Sequence, residues 1–180
     1  AAKTAEHLER IERQARRADG VITALTDFSR LPLPTLRPVP LAQCVNAVLE
    51  ATELPANIEV VVDCPDDLPT ALADATQLQI VIGNLVRNAR DAMPEGGRLS
   101  ITGSEIDHQV VLSVADTGVG IPADQVARIM EPLYSTKSRG IGLGLAISRA
   151  IVEKHNGGLS VSSDPGRGTK FTLRLDKAAQ

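Results

Sequence analysis

The sequence predicts an α/β two-layer sandwich, in which helices cover one face of a mixed β-sheet, with a long helix in front of it. Three observations support this fold class. Helical and strand patterns alternate after residue 40. Several strand segments are separated only by short turns, so hairpins contribute antiparallel strands. Each helix between them has one apolar side, which a sheet face can cover.

The start of the chain carries the pattern of a single helix over residues 4–31. Its apolar positions recur at steps of three and four and form one narrow seam: Leu8, Ile11, Ala15, Ala18, Ile22, Leu25 and Phe28. So regular a seam favours a partner helix over the alternative, in which the helix packs against its own domain. The prolines of residues 32–40 end the helix and predict an extended linker. The predicted organisation is therefore 1–31, the linker 32–40, and a domain over 41–177.

After the linker, helices and strands follow one another in a regular order. The apolar periodicity predicts helices over residues 41–53, 74–93, 122–130 and 142–155. Strands are predicted over residues 58–63, 71–73, 98–103, 109–115, 159–162 and 169–175. Asp74 is expected to cap the start of the longest of these helices.

Composition excludes several functions. Aromatic residues make up 2% of the chain and Trp is absent, so stacking platforms for single-stranded nucleic acid are not expected. The net charge of −3 gives no electrostatic reason to expect a nucleic-acid partner. Cys44 and Cys64 lack the spacing of metal ligands and are expected to be ordinary reduced cysteines. No apolar run reaches the roughly 20 residues that span a bilayer, so the expected location is the cytoplasm, with membrane anchoring of a longer parent protein left open.

Two glycine clusters predict a nucleotide site. The first, Asp116–Ile121, follows an apolar strand, and the second, Gly140–Leu145, leads into an apolar helix. Glycines let the backbone approach a ligand closely, and the free N–H groups at a helix start favour an anion. Asp116 would accept a hydrogen bond from the amino group of a base, or alternatively cap a turn. The spacing fits neither the Rossmann nor the Walker pattern.

The longest predicted helix carries a polar stripe. Asn84, Asn88 and Asp91 are four and three residues apart, so they share one face of the helix, opposite the packed side that includes Val81 and Leu85. Their oxygens suit Mg2+, which takes one or two protein ligands and completes its shell with phosphate and water. The alternative is that this polar face is simply exposed to solvent. The stripe by itself favours this alternative over a metal site.

Four features in fixed order are more specific than any one of them: Asn88, Asp116, Lys137 and Gly142–Gly144. This order resembles the catalytic ATP-binding domain of sensor histidine kinases, in a superfamily shared with gyrase, Hsp90 and the mismatch-repair ATPase. The resemblance covers about residues 41–176. It implies the Bergerat-type ATP-binding fold.

Five segments carry the resemblance. They resemble, in chain order, the family's N box, first glycine box, F box, second glycine box and final Gly-x-x-Gly-Thr segment: Asn84–Ala92, Asp116–Ile121, Glu131–Lys137, Gly140–Leu145 and Gly166–Thr169. The phrase Glu-Pro-Leu-Tyr-Ser-Thr-Lys leading into Gly-x-Gly-Leu-Gly-Leu is typical of the short-lidded, nitrogen-regulator-like kinases. Met130 and Leu133 depart from the family pattern, which commonly has aromatic residues there.

The resemblance implies that the domain transfers the γ-phosphoryl group of ATP to a histidine, chiefly through positioning and charge neutralisation. It implies that Asn88 ligates Mg2+, that Asp116 binds the adenine amino group, and that residues 121–141 form a mobile lid. Lys137 and Asn88 would be the catalytic residues. The full set of candidate nucleotide-site residues is Asn84, Asn88, Asp91, Asp116, Gly118, Gly120, Ile121, Lys137, Gly140, Gly142, Leu143, Gly144, Leu145 and Thr169.

Residues 4–31 resemble the second helix of the family's dimerisation and phosphotransfer hairpin. This implies a homodimeric four-helix bundle in the full-length protein and a cognate response regulator as a partner. The phosphoacceptor motif of the first hairpin helix is absent from this sequence, and His7 lies in the second, so it is not expected to be the acceptor. The fragment is expected to bind ATP and ADP but not to autophosphorylate alone.

Two alternatives remain open. One is a nucleotide-binding assembly or scaffold module of a degenerate kinase. The other, less favoured, is an ATPase of the same superfamily. Those ATPases place a water-activating Glu four residues before the metal-binding Asn. This chain has Asn84 at that position.

Overall fold

The computed structural model describes Thr26, residues 32–136 and residues 141–179 of the 180-residue chain. Apart from Thr26, the predicted helix over 4–31 lies outside the described residues. The strands are β1 (Arg37–Val39), β2 (Ile58–Asp63), β3 (Ala71–Ala73), β4 (Gly97–Ile106), β5 (Gln109–Asp116), β6 (Gly158–Asp164) and β7 (Gly168–Asp176). The helices are α1 (Leu41–Ala51), α2 (Ala75–Ala92), α3 (Ala123–Val126) and α4 (Gly144–Lys154).

The main sheet has five strands in the order β2-β4-β5-β7-β6. The β2–β4 pair is parallel and the other pairs are antiparallel, so the sheet is mixed, as predicted. A second, two-stranded sheet pairs β1 with β3 in antiparallel orientation. Part of the predicted linker is therefore a strand of this domain.

One face of the main sheet packs against the helices. Alternate residues of β4, β5 and β7 point to this face and are buried: Leu99, Ile101, Leu112, Val114, Phe171 and Leu173. The apolar stripe of α2 that meets them is also buried: Leu78, Val81, Ile82, Leu85, Val86 and Ala89. Because each such side chain contributes about 1.5–3 kcal/mol when fully buried, this layer dominates the stability of the domain. The predicted two-layer sandwich is confirmed.

Asp74 caps α2, as predicted. Its Oδ1 accepts hydrogen bonds from the backbone N–H groups of Thr76 at 3.0 Å and Gln77 at 3.1 Å. Its Oδ2 accepts one from the N–H of Thr35, ahead of β1, at 3.0 Å. Burial alone raises the pKa of Asp74, but the hydrogen bonds from these N–H donors outweigh it and hold the pKa below its usual value.

His155 ties the start of α2 to the end of α4. The backbone N–H of Asp74 donates to His155 Nε2 at 3.0 Å, and His155 Nδ1 lies 2.8 Å from the carbonyl oxygen of Ile151. The ring is 1% exposed. These contacts fit a neutral imidazole that donates from Nδ1 and accepts at Nε2. The two helices that border the site described below are thereby fixed at their far ends.

All four predicted helices are shorter than expected, and for two of them the backbone shows why. The segment predicted over 122–130 is helical only in α3, because Arg128 and Glu131 then hydrogen-bond three residues back in tighter turns. Helix α4 begins at Gly144 and not at residue 142, because Gly142 has a φ of +76°, which a right-handed helix does not accommodate. None of the helices in the described ranges has the length and apolarity needed to cross a membrane.

Candidate functional site

A cavity of about 610 Å³ lies between α2, the ends of β5 and β7, the segment after β5 and the start of α4. Eleven of the fourteen candidate residues line it: Asn84, Asn88, Asp91, Asp116, Gly120, Ile121, Gly142, Leu143, Gly144, Leu145 and Thr169. Gly118 does not line it. Lys137 and Gly140 lie outside the described residues.

Asp116 and Thr169 form one end of the cavity. They are paired across β5 and β7, so both side chains point to the helix-covered face of the sheet. Their exposed fractions are 7% and 5%. Asp116 Oδ1 accepts a hydrogen bond from the N–H of Gly118 at 2.9 Å, so the aspartate also caps the turn after β5. The two roles considered for this residue from the sequence are compatible.

Ser163 supports this end of the cavity and was not predicted. Its Oγ accepts a hydrogen bond from the N–H of Ile121 at 2.8 Å and donates to the carbonyl oxygen of Gly168 at 2.9 Å. It also lies 2.9 Å from Thr169 Oγ1. The register pairs Ser163 with Thr169, so β6, β7 and the first glycine segment meet at one hydroxyl group.

The first glycine segment passes close to two other backbones. A Cβ on Gly118 would overlap the carbonyl of Ala92 at the end of α2. The N–H of Val119 donates to that same carbonyl at 3.0 Å. Gly120 has a φ of +70°, and a Cβ there would overlap the backbone of Asp164. Gly118 therefore permits close packing between this segment and the end of α2.

The start of α4 forms the other end of the cavity. The residue before its first turn, Leu143, provides no side-chain cap. The N–H groups of that turn lack partners within the helix and carry the positive end of its dipole, so they can bind an anion. A Cβ on Gly144 would meet only the side chain of Asn84, at 3.6 Å or more, which is an ordinary contact. The fold does not require glycine at position 144, and its missing side chain leaves room in the cavity.

Asn84 connects α2 to α4. Its Nδ2 donates to the carbonyl oxygen of Gly144 at 2.9 Å and to Ser148 Oγ at 3.1 Å. Its Oδ1 accepts from Arg87 Nη2 at 2.7 Å. Both polar atoms of this amide are engaged within the protein. Asn84, one of the three residues of the predicted polar stripe, therefore links α2 to α4.

Sequence reasoning missed several residues of the cavity wall. Two are arginines on α2: Arg90 forms an ion pair with Asp91 at 3.0 Å, and Arg87 donates a hydrogen bond to Asn84. Tyr134 also lines the cavity, and the guanidinium of Arg128 lies 4.4 Å from the centre of its ring. Surface arginines are common on helices, so the residue type alone did not distinguish Arg87 and Arg90 in the sequence.

The donor set suits a metal that is shared with phosphate. Among the residues that the structure describes, no group of three or more His, Cys, Asp or Glu side chains could hold a metal ion. The cavity wall offers instead the amide of Asn88 and the carboxylate of Asp91. Mg2+ fits such a wall, because it is held by one or two protein oxygens plus phosphate and water.

Comparison with known proteins identifies relatives of this domain. Residues 73–179 match the family described as histidine kinase-, DNA gyrase B- and HSP90-like ATPase. The sensor histidine kinase ZraS of Escherichia coli (strain K12) is 38% identical over 167 residues, which are 89% of this chain and 36% of that protein. The sensor histidine kinase RppB of Synechocystis sp. is 37% identical over 93% of this chain and 40% of that protein. The chain thus spans well under half the length of these relatives.

Solved structures give the same result. Full-length ShkA in complex with AMPPNP superposes with a TM-score of 0.78 at 28% identity, over 100% of this chain and 40% of that one. The mycobacterial sensor histidine kinase MprB superposes with a TM-score of 0.72 at 29% identity, over 81% of this chain and 100% of that one. The chain therefore belongs to the family of histidine kinase-, DNA gyrase B- and HSP90-like ATPases, and it contains an ATP-binding catalytic domain of the sensor histidine kinase type.

Proposed function

We propose that this domain binds Mg-ATP in the cavity and transfers its γ-phosphoryl group to a histidine on another segment of the full-length protein. One observation carries the proposal. A single cavity of about 610 Å³ has a buried acid and hydroxyl at one end and an uncapped helix start at the other. An amino-bearing base and a polyphosphate match these two ends.

Asp116 binds the base in this proposal. Its buried carboxylate accepts a hydrogen bond from the exocyclic amino group of adenine, because an ionised carboxylate is purely an acceptor. Thr169 and Ile121 line the same end, and Ser163 fixes both through its hydrogen bonds. A base that presents a carbonyl group at this point would face the carboxylate with no hydrogen to donate, so the site would discriminate against it.

The phosphates lie at the start of α4 in this proposal. The backbone N–H groups of Gly142–Leu145 donate to phosphate oxygens, and Lys137 and Gly140, outside the described residues, complete the site as proposed ligands. Asn88 would hold Mg2+, with Asp91 beside it, and the ion would supply neutralisation of phosphate charge. Residues 121–141 would close over the nucleotide as a lid.

Transfer fits the site better than hydrolysis. A superfamily hydrolase needs a carboxylate four residues before the metal-binding Asn to activate water. Asn84 occupies that position, and its side chain is hydrogen-bonded to Gly144, Ser148 and Arg87. An amide has no basic atom with which to take a proton from water.

Neither of the two histidines in the described residues suits the role of phosphoacceptor. His155 is buried with both ring nitrogens hydrogen-bonded. His108 lies in the turn before β5, at the opposite end of that strand from Asp116, about 25 Å away at the usual rise per residue. We propose that the acceptor lies on the first helix of a dimeric hairpin, with residues 4–31 as the second helix, and that a response regulator receives the phosphoryl group. Because ATP is the substrate, we place the domain in the cytoplasm.

A phosphotransfer assay tests the proposal. A longer version of the protein that carries the complete helical hairpin is incubated with ATP labelled in the γ-phosphate. We expect an acid-labile, base-stable label, as phosphohistidine gives, and its loss in the Asn88→Ala variant while the fold is retained. Label released only as inorganic phosphate would indicate a hydrolase. ATP binding without either product would indicate a scaffold module.

A further inference from the structure

Gly83 occupies an unfavourable position for glycine, in the interior of α2. Apart from the backbone of the helix itself, the three atoms nearest to a Cβ placed on it all belong to the guanidinium group of Arg87, whose Nη1 would lie 3.1 Å away. The glycine therefore provides the space in which the guanidinium of Arg87 rests, one helical turn further along.

Arg87 is held there by a neutral group. Its Nη2 donates to Asn84 Oδ1 at 2.7 Å, and Asn84 in turn donates to the carbonyl oxygen of Gly144. The other arginine of the cavity wall, Arg90, is paired with Asp91. Within the described ranges, no carboxylate lies at salt-bridge distance from Arg87. A positive charge is thus present in the cavity wall without an anionic partner among these residues.

The position of Arg87 along α2 fixes which part of a nucleotide it faces. Ala92, at the end of the helix, contacts Gly118 and Val119 beside the Asp116 end of the cavity. Arg87 lies about 7.5 Å back along the helix axis, beyond Asn88, and is linked through Asn84 to the start of α4. Going back along α2 from Ala92, the base end of the cavity therefore comes first, the proposed metal ligand Asn88 second and the positively charged Arg87 third. A nucleotide in this orientation presents its last phosphate to Arg87.

We propose that Arg87 binds the terminal phosphate of ATP and makes the site prefer ATP to ADP; this inference rests on the proposed function. Arginine forms forked, charge-assisted hydrogen bonds to phosphate, which are stronger than the hydrogen bond to an amide. The guanidinium exchanges Asn84 Oδ1 for phosphate oxygens, a movement that needs only side-chain rotation. ADP lacks that phosphate, so with ADP bound Arg87 keeps its packing against Gly83 and its hydrogen bond to Asn84.

The test is a calorimetric comparison of ATP and ADP affinity in the presence of Mg2+. In Arg87→Gln we expect ATP to bind at least about tenfold more weakly, while ADP affinity changes by less than about twofold. Arg87→Lys keeps the positive charge but lacks the forked pair of donors. Its ATP affinity should therefore lie between those of the unmodified chain and Arg87→Gln. Arg149→Gln is the matched control, because Arg149 is exposed on α4, is paired with Glu153 at 2.8 Å and lies outside the cavity wall.

The outcomes separate this inference from the proposed function. If the unmodified chain binds neither nucleotide, the proposed function itself fails. If it binds both and Arg87→Gln leaves the ratio of ADP to ATP affinity unchanged, only the inference fails. An equal loss of affinity for ATP and ADP would also overturn the inference, because it would mean that Arg87 only holds Asn84 in place and does not contact the terminal phosphate. A selective loss for ATP supports it.

Discussion

Replacing Asp116 by Asn is the sharpest test of the base-binding end of the cavity. The substitution changes almost no volume, and the Asn Oδ1 can still accept the hydrogen bond that Asp116 receives from the N–H of Gly118 at 2.9 Å. The fold should therefore survive. The remaining side-chain group becomes an NH2 donor, which would face the amino group of adenine, so one hydrogen bond is lost and two donors are opposed.

The expected magnitude follows from the burial of this site. Asp116 is 7% exposed, so little water can compensate for the lost bond. A hydrogen bond to a charged group contributes about 1.5–3 kcal/mol, which corresponds to roughly 10- to 150-fold in the Kd for ATP. Calorimetric titration measures this change, and circular dichroism checks the fold.

Asp176→Asn is the matched control for this variant. Asp176 lies on the same strand pair at the opposite end of β7 and is exposed. Its substitution should leave ATP binding unchanged. Wild-type affinity in Asp116→Asn, with the control also unchanged, would refute the assignment of this carboxylate to the base.

Three further predictions follow. Gly144→Ala should weaken ATP binding several-fold with little change in melting temperature, because its Cβ makes only an ordinary contact with Asn84 but narrows the phosphate end; titration and thermal melting measure the two effects. Ser163→Ala should lower the free energy of unfolding by about 1–3 kcal/mol in urea denaturation, because it leaves part-buried backbone groups without partners, whereas the exposed Ser162→Ala should have almost no effect. Asp74→Asn should be less stable than the wild type at neutral pH, and the difference should shrink as the pH falls, which urea denaturation at several pH values measures.

The sign of the last prediction follows from linkage. The pKa of Asp74 is lowered from its ordinary value of 3.8, so the unfolded chain binds more protons than the folded one at acid pH. The stabilisation is complete above the unfolded pKa and is lost as the pH falls through the folded pKa. A constant difference between wild type and variant from about pH 7 to pH 3 would contradict it. Unchanged ATP affinity in Gly144→Ala, or equal effects of the two serine variants, would contradict the other two.

The fold was largely predictable because local patterns and long-range packing agree. The apolar stripe of α2 has a helical period and meets a sheet face, and Asp74 marks its start as a capping residue. The β4–β5 hairpin was predictable for the same reason. Its two-residue turn, Asp107 and His108, has positive φ at both positions, which suits the twist of a hairpin. The two strands stay paired right up to this turn, so β4 is longer than predicted.

The site was less predictable wherever it depends on register. The family motifs named both Asp116 and Thr169 as site residues, whereas the contact of Thr169 with Ser163 depends on how β6 aligns with β7. A shift of one residue in that register would turn Ser163 to the solvent side. Asn84 was identified from its spacing, while its links to α4 depend on how two helices pack. Arg87 had one sequence signal that went unused, namely the glycine four residues earlier in a helix that otherwise favours larger residues.

Calorimetric titration of the unmodified chain with ATP, with and without Mg2+, tests the central claim most directly. The account predicts saturable binding of one ATP for each chain, strengthened by Mg2+, because the cavity supplies few metal ligands of its own and the ion must be shared with phosphate. Absence of ATP binding under both conditions, in a chain shown to be folded, would contradict the assignment of this cavity as a nucleotide site.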